Sequence, residues 1–237
     1  MASLVKLYSP EGFLTFSCIS LLVFNSLFAY NLKFKFPILN FEIFHQIITI
    51  TFITQALLTN MSIISIGFDL FFLCNIATQN LKIFLLFIFL FFFLTIWRGF
   101  VSQKLNFFEY FIILLIVLLG LLFLISSYNL ISIYLSLEIQ ALGFYILASF
   151  DRNSIFSSES GLKYFISSSL VSGIFLLGSS IIYGTLGTTN LYQIEFLLIN
   201  FFDFPTNISF SFFFFCFFFF FNFFFFIFFF SFFHFLF

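Results

Sequence analysis

Apolar stretches of about 20 residues recur along the chain, separated by short segments that hold charges and turn residues. A helix needs about 20 apolar residues to cross a bilayer. Seven segments have this character, at approximately 10–30, 43–67, 81–97, 107–126, 130–150, 157–184 and after residue 205. The pattern predicts an all-α fold, a polytopic transmembrane helix bundle of about seven helices.

The first segment has a helix-start signature, with Ser9 as N-cap, Pro10 at the first position and Glu11 in the first turn. It is longer than a signal-peptide core, so we expect an anchor that stays in the membrane. The segments fall into three parts. Residues 1–104 hold three N-terminal helices, residues 105–200 hold helices four to six, and residues 201–237 form a Phe-rich segment with a seventh helix.

Composition narrows the function classes. Hydrophobic residues make up 63% of the 237 positions and charged residues only 7%, against about 25% charged in soluble domains. A soluble enzyme is excluded, and membrane lipids are expected partners. The net charge of −1 provides no basic field for nucleic acid. Three separated cysteines and two histidines, without a nucleotide-binding motif, predict no metal site and no redox cofactor in this chain.

Basic residues predict the orientation. Five fall in the first, third and fifth loops: Lys33, Lys35, Arg98, Lys104 and Arg152. Lys6 and Lys82 fall on the opposite side. Because basic loops stay on the cytoplasmic or matrix side, the N-terminus is expected to face outward.

Glu138 is the leading candidate for chemistry, because an acid in the middle of a spanning helix is costly and usually functional. Tyr134 and Tyr145 lie four residues before it and seven after it, on the same helical face. A buried acid with polar neighbours suits a proton carrier. The alternative is a protonated glutamic acid that only joins helices through hydrogen bonds.

Lys163 is the second candidate. It follows Glu159 by four residues, so the alternative is a simple surface ion pair. If helices five and six are antiparallel neighbours, the spacing predicts an axial gap of about 9 Å between Glu138 and Lys163, bridged by water. Glu109, at the start of helix four, is a secondary candidate. A carboxylate there is also explained by the helix dipole.

Residues 106–194 resemble subunit 2 of respiratory complex I, the NADH:ubiquinone oxidoreductase of mitochondria. The matching motifs lie, in order, at residues 108–110, 126–130, 137–145, 159–165 and 182–187. The resemblance implies the N-terminal half of an antiporter-like subunit of the complex I membrane arm. Glu138 then corresponds to the family's key glutamate of helix five, and Lys163 to the lysine of helix six.

The resemblance also implies a function, partners and a location. The chain would take part in proton translocation coupled to NADH oxidation and ubiquinone reduction. FMN, iron–sulfur clusters and ubiquinone would be bound elsewhere in the complex. The partners would be other membrane-arm subunits, including a separately encoded C-terminal half. The location would be the mitochondrial inner membrane, with the N-terminus toward the intermembrane space.

Two departures from the family pattern leave alternatives open. The family subunit has about fourteen helices, and its seventh carries a lysine followed by a Pro-Phe-His motif. Here His234 is the one residue that corresponds to that motif, and the lysine and the proline are absent. The surrounding segment is Phe-rich, with 21 Phe among the last 30 residues. The alternatives are a structural subunit with a degenerate proton path, or a subunit of a cation/proton antiporter. The Phe-rich tail is read as a simplified helix, or as a frameshifted or unedited reading of a T-rich gene.

Overall fold

A computed structural model describes residues 10–31, 51, 53–54, 65–67, 72–103, 108–151 and 154–200. Its elements in chain order are α1 (Pro10–Asn31), β1 (Ser65–Gly67), β2 (Phe72–Cys74), α2 (Ile76–Gln103), α3 (Phe108–Ser126), α4 (Leu130–Ala148), α5 (Ile155–Leu186) and α6 (Leu191–Asn200). The described part of the chain is therefore almost wholly helical, as predicted.

Four predicted spans agree with α1, α3, α4 and α5 to within two residues at each end. The helix predicted at 81–97 is confirmed, but α2 begins earlier, at Ile76. The short helix α6 was not predicted. The seventh span and most of the second lie outside the described residues.

A short antiparallel hairpin precedes α2. Ser65 pairs with Cys74 and Gly67 with Phe72. The prediction that the second span runs as helix to residue 67 is wrong at its end, because Ser65–Gly67 form a strand, and a segment this short cannot be assigned to helix or strand from its hydrophobic pattern. The Phe72 ring lies 5.5 Å from that of Phe123, which attaches the hairpin to the end of α3.

Helix α3 is the centre of the bundle and packs against α1, α2 and α4. Its fully buried side chains include Phe111, Leu115, Leu118 and Leu122. These residues are three or four positions apart and form one continuous apolar stripe. Side chains of all four helices join it in a single core cluster, so α3 positions its neighbours.

Helices α3 and α4 approach each other closely at two glycines. A Cβ atom built on Gly143 would lie 2.3 Å from a methyl group of Val117, and one on Gly120 would lie 3.1 Å from the backbone nitrogen of Gln140. Small residues permit this approach, as in many helix pairs of membrane proteins. The contact fixes α4, and with it Glu138, against the core.

Local capping defines the ends of α4 and α5. The Asn129 side chain accepts a hydrogen bond from the first turn of α4 and forms a capping box with Ser132. Ser154 caps α5, which ends at Gly187 in the left-handed conformation, with a φ of 73°. The short connection between the two helices makes them antiparallel neighbours, as predicted.

Four described helices are long and apolar enough to cross a membrane: α2 over Ile76–Phe93, α3 over Glu109–Ser126, and the whole of α4 and α5. Helix α1 contributes a shorter apolar stretch, Glu11–Val23. Length and hydropathy thus agree with the predicted class of a membrane-spanning helix bundle.

Candidate functional site

Glu138 lies on the face of α4 that packs against α5. One turn earlier on the same face, the Tyr134 phenol lies close enough to its carboxylate to interact with it electrostatically. The Tyr134 ring stacks on Phe175 of α5 at 6.2 Å, and the Tyr145 ring meets Phe165 of α5 edge-on at 5.5 Å. The structure therefore brings Tyr134, Glu138 and Tyr145 to one interface, with Glu138 half-buried.

These ring contacts set the register between the antiparallel helices. Phe175 is level with Tyr134 and Phe165 with Tyr145, which places Glu138 near the level of residues 171 and 172. Lys163 is then about 13 Å away along the helix axes, at 1.5 Å per residue. This axial gap is wider than the sequence spacing suggested and is too long for a direct salt bridge.

Lys163 is instead paired within its own helix. Its Nζ lies 2.6 Å from Oε1 of Glu159, and the two side chains are 73% and 53% exposed. This is the surface pair that the spacing allowed as an alternative. Exposed pairs of this kind contribute little to stability, so its presence leaves a further role for Lys163 open.

Six serine hydroxyls in the middle and later part of α5 are satisfied inside the helix. Each donates to the backbone carbonyl three residues earlier, at Ser167, Ser168, Ser169, Ser172, Ser179 and Ser180. This bonding lets a hydroxyl lie in an apolar environment without an unpaired donor. The oxygen atoms keep lone pairs that accept hydrogen bonds from water or a neighbouring chain.

A cleft of about 150 Å³ opens between α4 and α5 near the N-terminal end of α4. Its lining residues include Tyr134, Ser179, Ser180 and Tyr183, and most of the lining surface is apolar. Tyr134 therefore lines the cleft one helical turn before Glu138.

Of the secondary candidates, Tyr134 and Tyr145 lie at this interface and Glu109 does not. Glu109 is exposed in the first turn of α3, the position that the helix-dipole explanation requires. His234 lies outside the described residues. Within the described ranges, no three His, Cys, Asp or Glu side chains group closely enough to hold a metal ion.

The sequence interpretation missed a buried ion pair between Glu11 of α1 and Lys82 of α2. Lys82 was predicted to be a loop charge, and this prediction is wrong. It lies six residues inside α2 and is 1% exposed, because Glu11 compensates its charge. One signal was available: both residues lie near the starts of spans that run in the same direction, so both are expected at the same end of the bundle.

The chain is similar to known membrane proteins in sequence and in fold. Residues 127–235 match the family described as NADH:quinone oxidoreductase/Mrp antiporter, transmembrane. Over 95 residues the chain is 46% identical to NADH-ubiquinone oxidoreductase chain 2 of Marchantia polymorpha, which covers 40% of this chain and 19% of the relative. Over 159 residues it is 38% identical to NADH-quinone oxidoreductase subunit N of Bartonella bacilliformis, covering 64% and 32%.

The chain is similar in sequence to parts of these subunits. It matches between 19% and 32% of the length of the two relatives. The same fold occurs in respiratory complex I from Thermus thermophilus, with a TM-score of 0.61, 21% identity and coverage of 77% of this chain and 38% of the other. It also occurs in an archaeal membrane-bound sulfane sulfur reductase, with a TM-score of 0.64, 17% identity and coverage of 88% and 42%.

Proposed function

We propose that this chain is a membrane-arm subunit of respiratory complex I that takes part in proton translocation coupled to NADH oxidation and ubiquinone reduction. The observation that carries the proposal is Glu138. It is a half-buried acid near the middle of a helix long enough to span a membrane, and it lies in the part of the chain that matches the antiporter family. Inserting an ionisable side chain at that position costs free energy, so such residues usually have a function.

Glu138 is the proton-exchanging group in this proposal. In this role the Tyr134 phenol, one turn away, interacts with the carboxylate and also lines the cleft between α4 and α5. The charge of Lys163 acts at a distance. Two unit charges separated by at least this axial gap of about 13 Å interact by at most about 1.3 kcal/mol at an effective dielectric constant of about 20.

The remainder of the machinery lies outside the described bundle. The relatives are several times longer than the matched region, so a full proton path requires further helices, which we assign to a separately encoded C-terminal half. Other membrane-arm subunits complete the assembly. FMN, iron–sulfur clusters and ubiquinone belong to other parts of the complex.

We place the chain in the mitochondrial inner membrane with its N-terminus toward the intermembrane space. The support is the excess of basic residues in the odd-numbered loops and the plant mitochondrial relatives. An epitope tag on the N-terminus should be digested by protease in intact mitoplasts. A tag that is digested only after the membrane is opened contradicts this orientation.

The decisive experiment replaces Glu138 by Gln, which keeps the size of the side chain and removes its titration. NADH-driven proton uptake, measured by fluorescence quenching in inverted membrane vesicles, should fall about 10²-fold or more, the scale of a lost acid–base group. The matched control is Glu195→Gln, at an exposed acid on α6, and its uptake should equal that of the parent. Parent-like uptake by Glu138→Gln overturns the proposal.

One observation favours a second candidate, a structural subunit with a degenerate proton path. Lys163 is engaged in an exposed pair with Glu159, as expected if it serves only the helix surface. In that case, Glu138→Gln leaves pumping unchanged and lowers only the amount of assembled complex. Pumping per assembled complex therefore separates the two functions.

A further inference from the structure

A buried ion pair joins α1 to α2 across 71 positions of sequence. Glu11 lies in the first turn of α1, and Nζ of Lys82, in the second turn of α2, donates to its Oε1. The two side chains are 9% and 2% exposed. The other ion pair in the described ranges, Lys163 with Glu159, is largely exposed. Glu11 and Lys82 are thus the pair that folding removes from solvent.

Each of these residues stands at the start of a buried apolar stripe. On α1 the stripe continues with Leu14, Cys18 and Leu21, and on α2 with Leu86, Phe89 and Phe93. The steps of three and four residues keep each stripe on one helical face. Both stripes belong to the core cluster that surrounds α3. Because apolar side chains follow the pair along both helices, the pair lies at one end of the apolar core that α1 and α2 form with α3 and does not open a polar route through it.

This arrangement makes the pair sensitive to register. Sliding α1 by one helical turn would bring Glu11 to the level of an apolar side chain of the opposite stripe and leave Lys82 without a partner. An unpaired charge in a buried seam is strongly unfavourable, whereas a leucine in place of another leucine costs little. A single polar contact at a helix interface is a well-attested means of selecting one register.

We propose that Glu11 and Lys82 form a register-determining lock that holds the first helix on α2 and α3. The lock also neutralises Lys82 at the outward end of a spanning helix, where a free lysine opposes the predicted orientation. This role is independent of proton translocation by Glu138, and its test does not measure activity.

The accessibility of Cys18 reports whether α1 is packed against α2 and α3. It lies seven residues after Glu11 on the same stripe and is 5% exposed. We would replace Cys74 and Cys216 by Ser and measure the rate at which a membrane-permeant maleimide labels Cys18 in native membranes. Glu11→Gln and Lys82→Met should each raise this rate by at least about tenfold, because each leaves the other charge buried and unpaired.

In the double variant Glu11→Gln/Lys82→Met, the labelling rate of Cys18 should stay within about threefold of the parent rate, because no buried charge is left unpaired. The exposed Glu159→Gln variant is the control and should not change the rate. If the single variants fail to accumulate in the membrane, recovery of protein amount in the double variant takes the place of the labelling ratio. Parent-like labelling in both single variants, or a double variant as impaired as the single ones, overturns the proposal.

Discussion

Glu138 obtains its polar partner from its own helix, the phenol of Tyr134. Tyr134→Phe removes this hydroxyl and keeps the ring that stacks on Phe175. A hydrogen bond to a charged group contributes about 1.5–3 kcal/mol, part of which is felt during proton transfer. We therefore expect proton uptake per assembled complex to fall about three- to tenfold, with assembly unchanged in native gel electrophoresis.

The control for this variant is Tyr192→Phe, at a phenol on α6 that is 62% exposed. It should pump as the parent does. If Tyr134→Phe also pumps at the parent rate, the phenol does not orient the carboxylate during turnover.

Variants of both members of the ion pair distinguish the two proposed roles of Lys163, which are stabilising α5 and acting on Glu138. If Lys163 only stabilises α5, Lys163→Met and Glu159→Gln lose the same exposed contact, whose contribution is at most about 1 kcal/mol. If it biases the Glu138 proton, Lys163→Met lowers uptake by about tenfold, while Glu159→Gln changes it by less than about twofold. We expect the second outcome in vesicle assays normalised to assembled complex, and equal effects of the two variants contradict it.

At the scale of single residues, helical periodicity was enough to predict which side chains lie together when those side chains belong to one helix. The spacings of four and seven residues correctly placed Tyr134 and Tyr145 on the face of Glu138. Periodicity fails where the partner is remote. Nothing in the neighbourhood of Lys82 shows that a carboxylate 71 positions away will compensate its charge.

At the scale of elements, long apolar segments were predicted well because turn residues and caps bound them. Asn129 and Ser154 begin α4 and α5, and Gly187 ends α5. The predicted start of α2, at residue 81, lies five residues after the observed one, because the helix also includes the more polar segment from Ile76 to residue 80. The hairpin at Ser65–Gly67 and the ten-residue α6 are too short for hydrophobic pattern to distinguish from neighbouring loops or spans.

The close packing of α3 and α4 depends on Gly143. In Gly143→Ala the new Cβ would lie 2.3 Å from the Val117 side chain, so the helices must separate. Overpacking of this kind costs about 1–3 kcal/mol. We expect a lower thermal unfolding midpoint for the purified protein in detergent. Adding Val117→Ala should restore part of the loss, since it removes the opposing methyl group.

Gly184 is the matched control, because it is helical and a Cβ built there meets nothing within 4 Å. Gly184→Ala should leave the midpoint unchanged or raise it slightly, as alanine favours helix over glycine by up to about 1 kcal/mol. Equal destabilisation by the two alanines would contradict the packing explanation, because the Cβ built at Gly184 meets nothing.

On the scale of the whole molecule, the described helices cover one side of the bundle and leave the other side exposed. Helix α3 is covered on several sides, whereas much of α5 is exposed in the described structure. A stripe at helical spacing runs along it through Ile166, Leu170, Gly173 and Leu177, all exposed. The relatives are much longer than the matched region. Both observations support our assignment of further helices against α5.

Gly173 tests whether this stripe meets protein or lipid. A Cβ built there meets nothing within 4 Å, so the described bundle itself tolerates a larger side chain. A partner helix that approaches closely requires the small residue, whereas lipid accommodates a large one. We expect Gly173→Trp to reduce incorporation into the large respiratory complex at least about fivefold in native gel electrophoresis, with parent-like amounts of chain in the membrane and a smaller effect of Gly173→Ala. Normal incorporation of the tryptophan variant would show that this face of α5 contacts lipid.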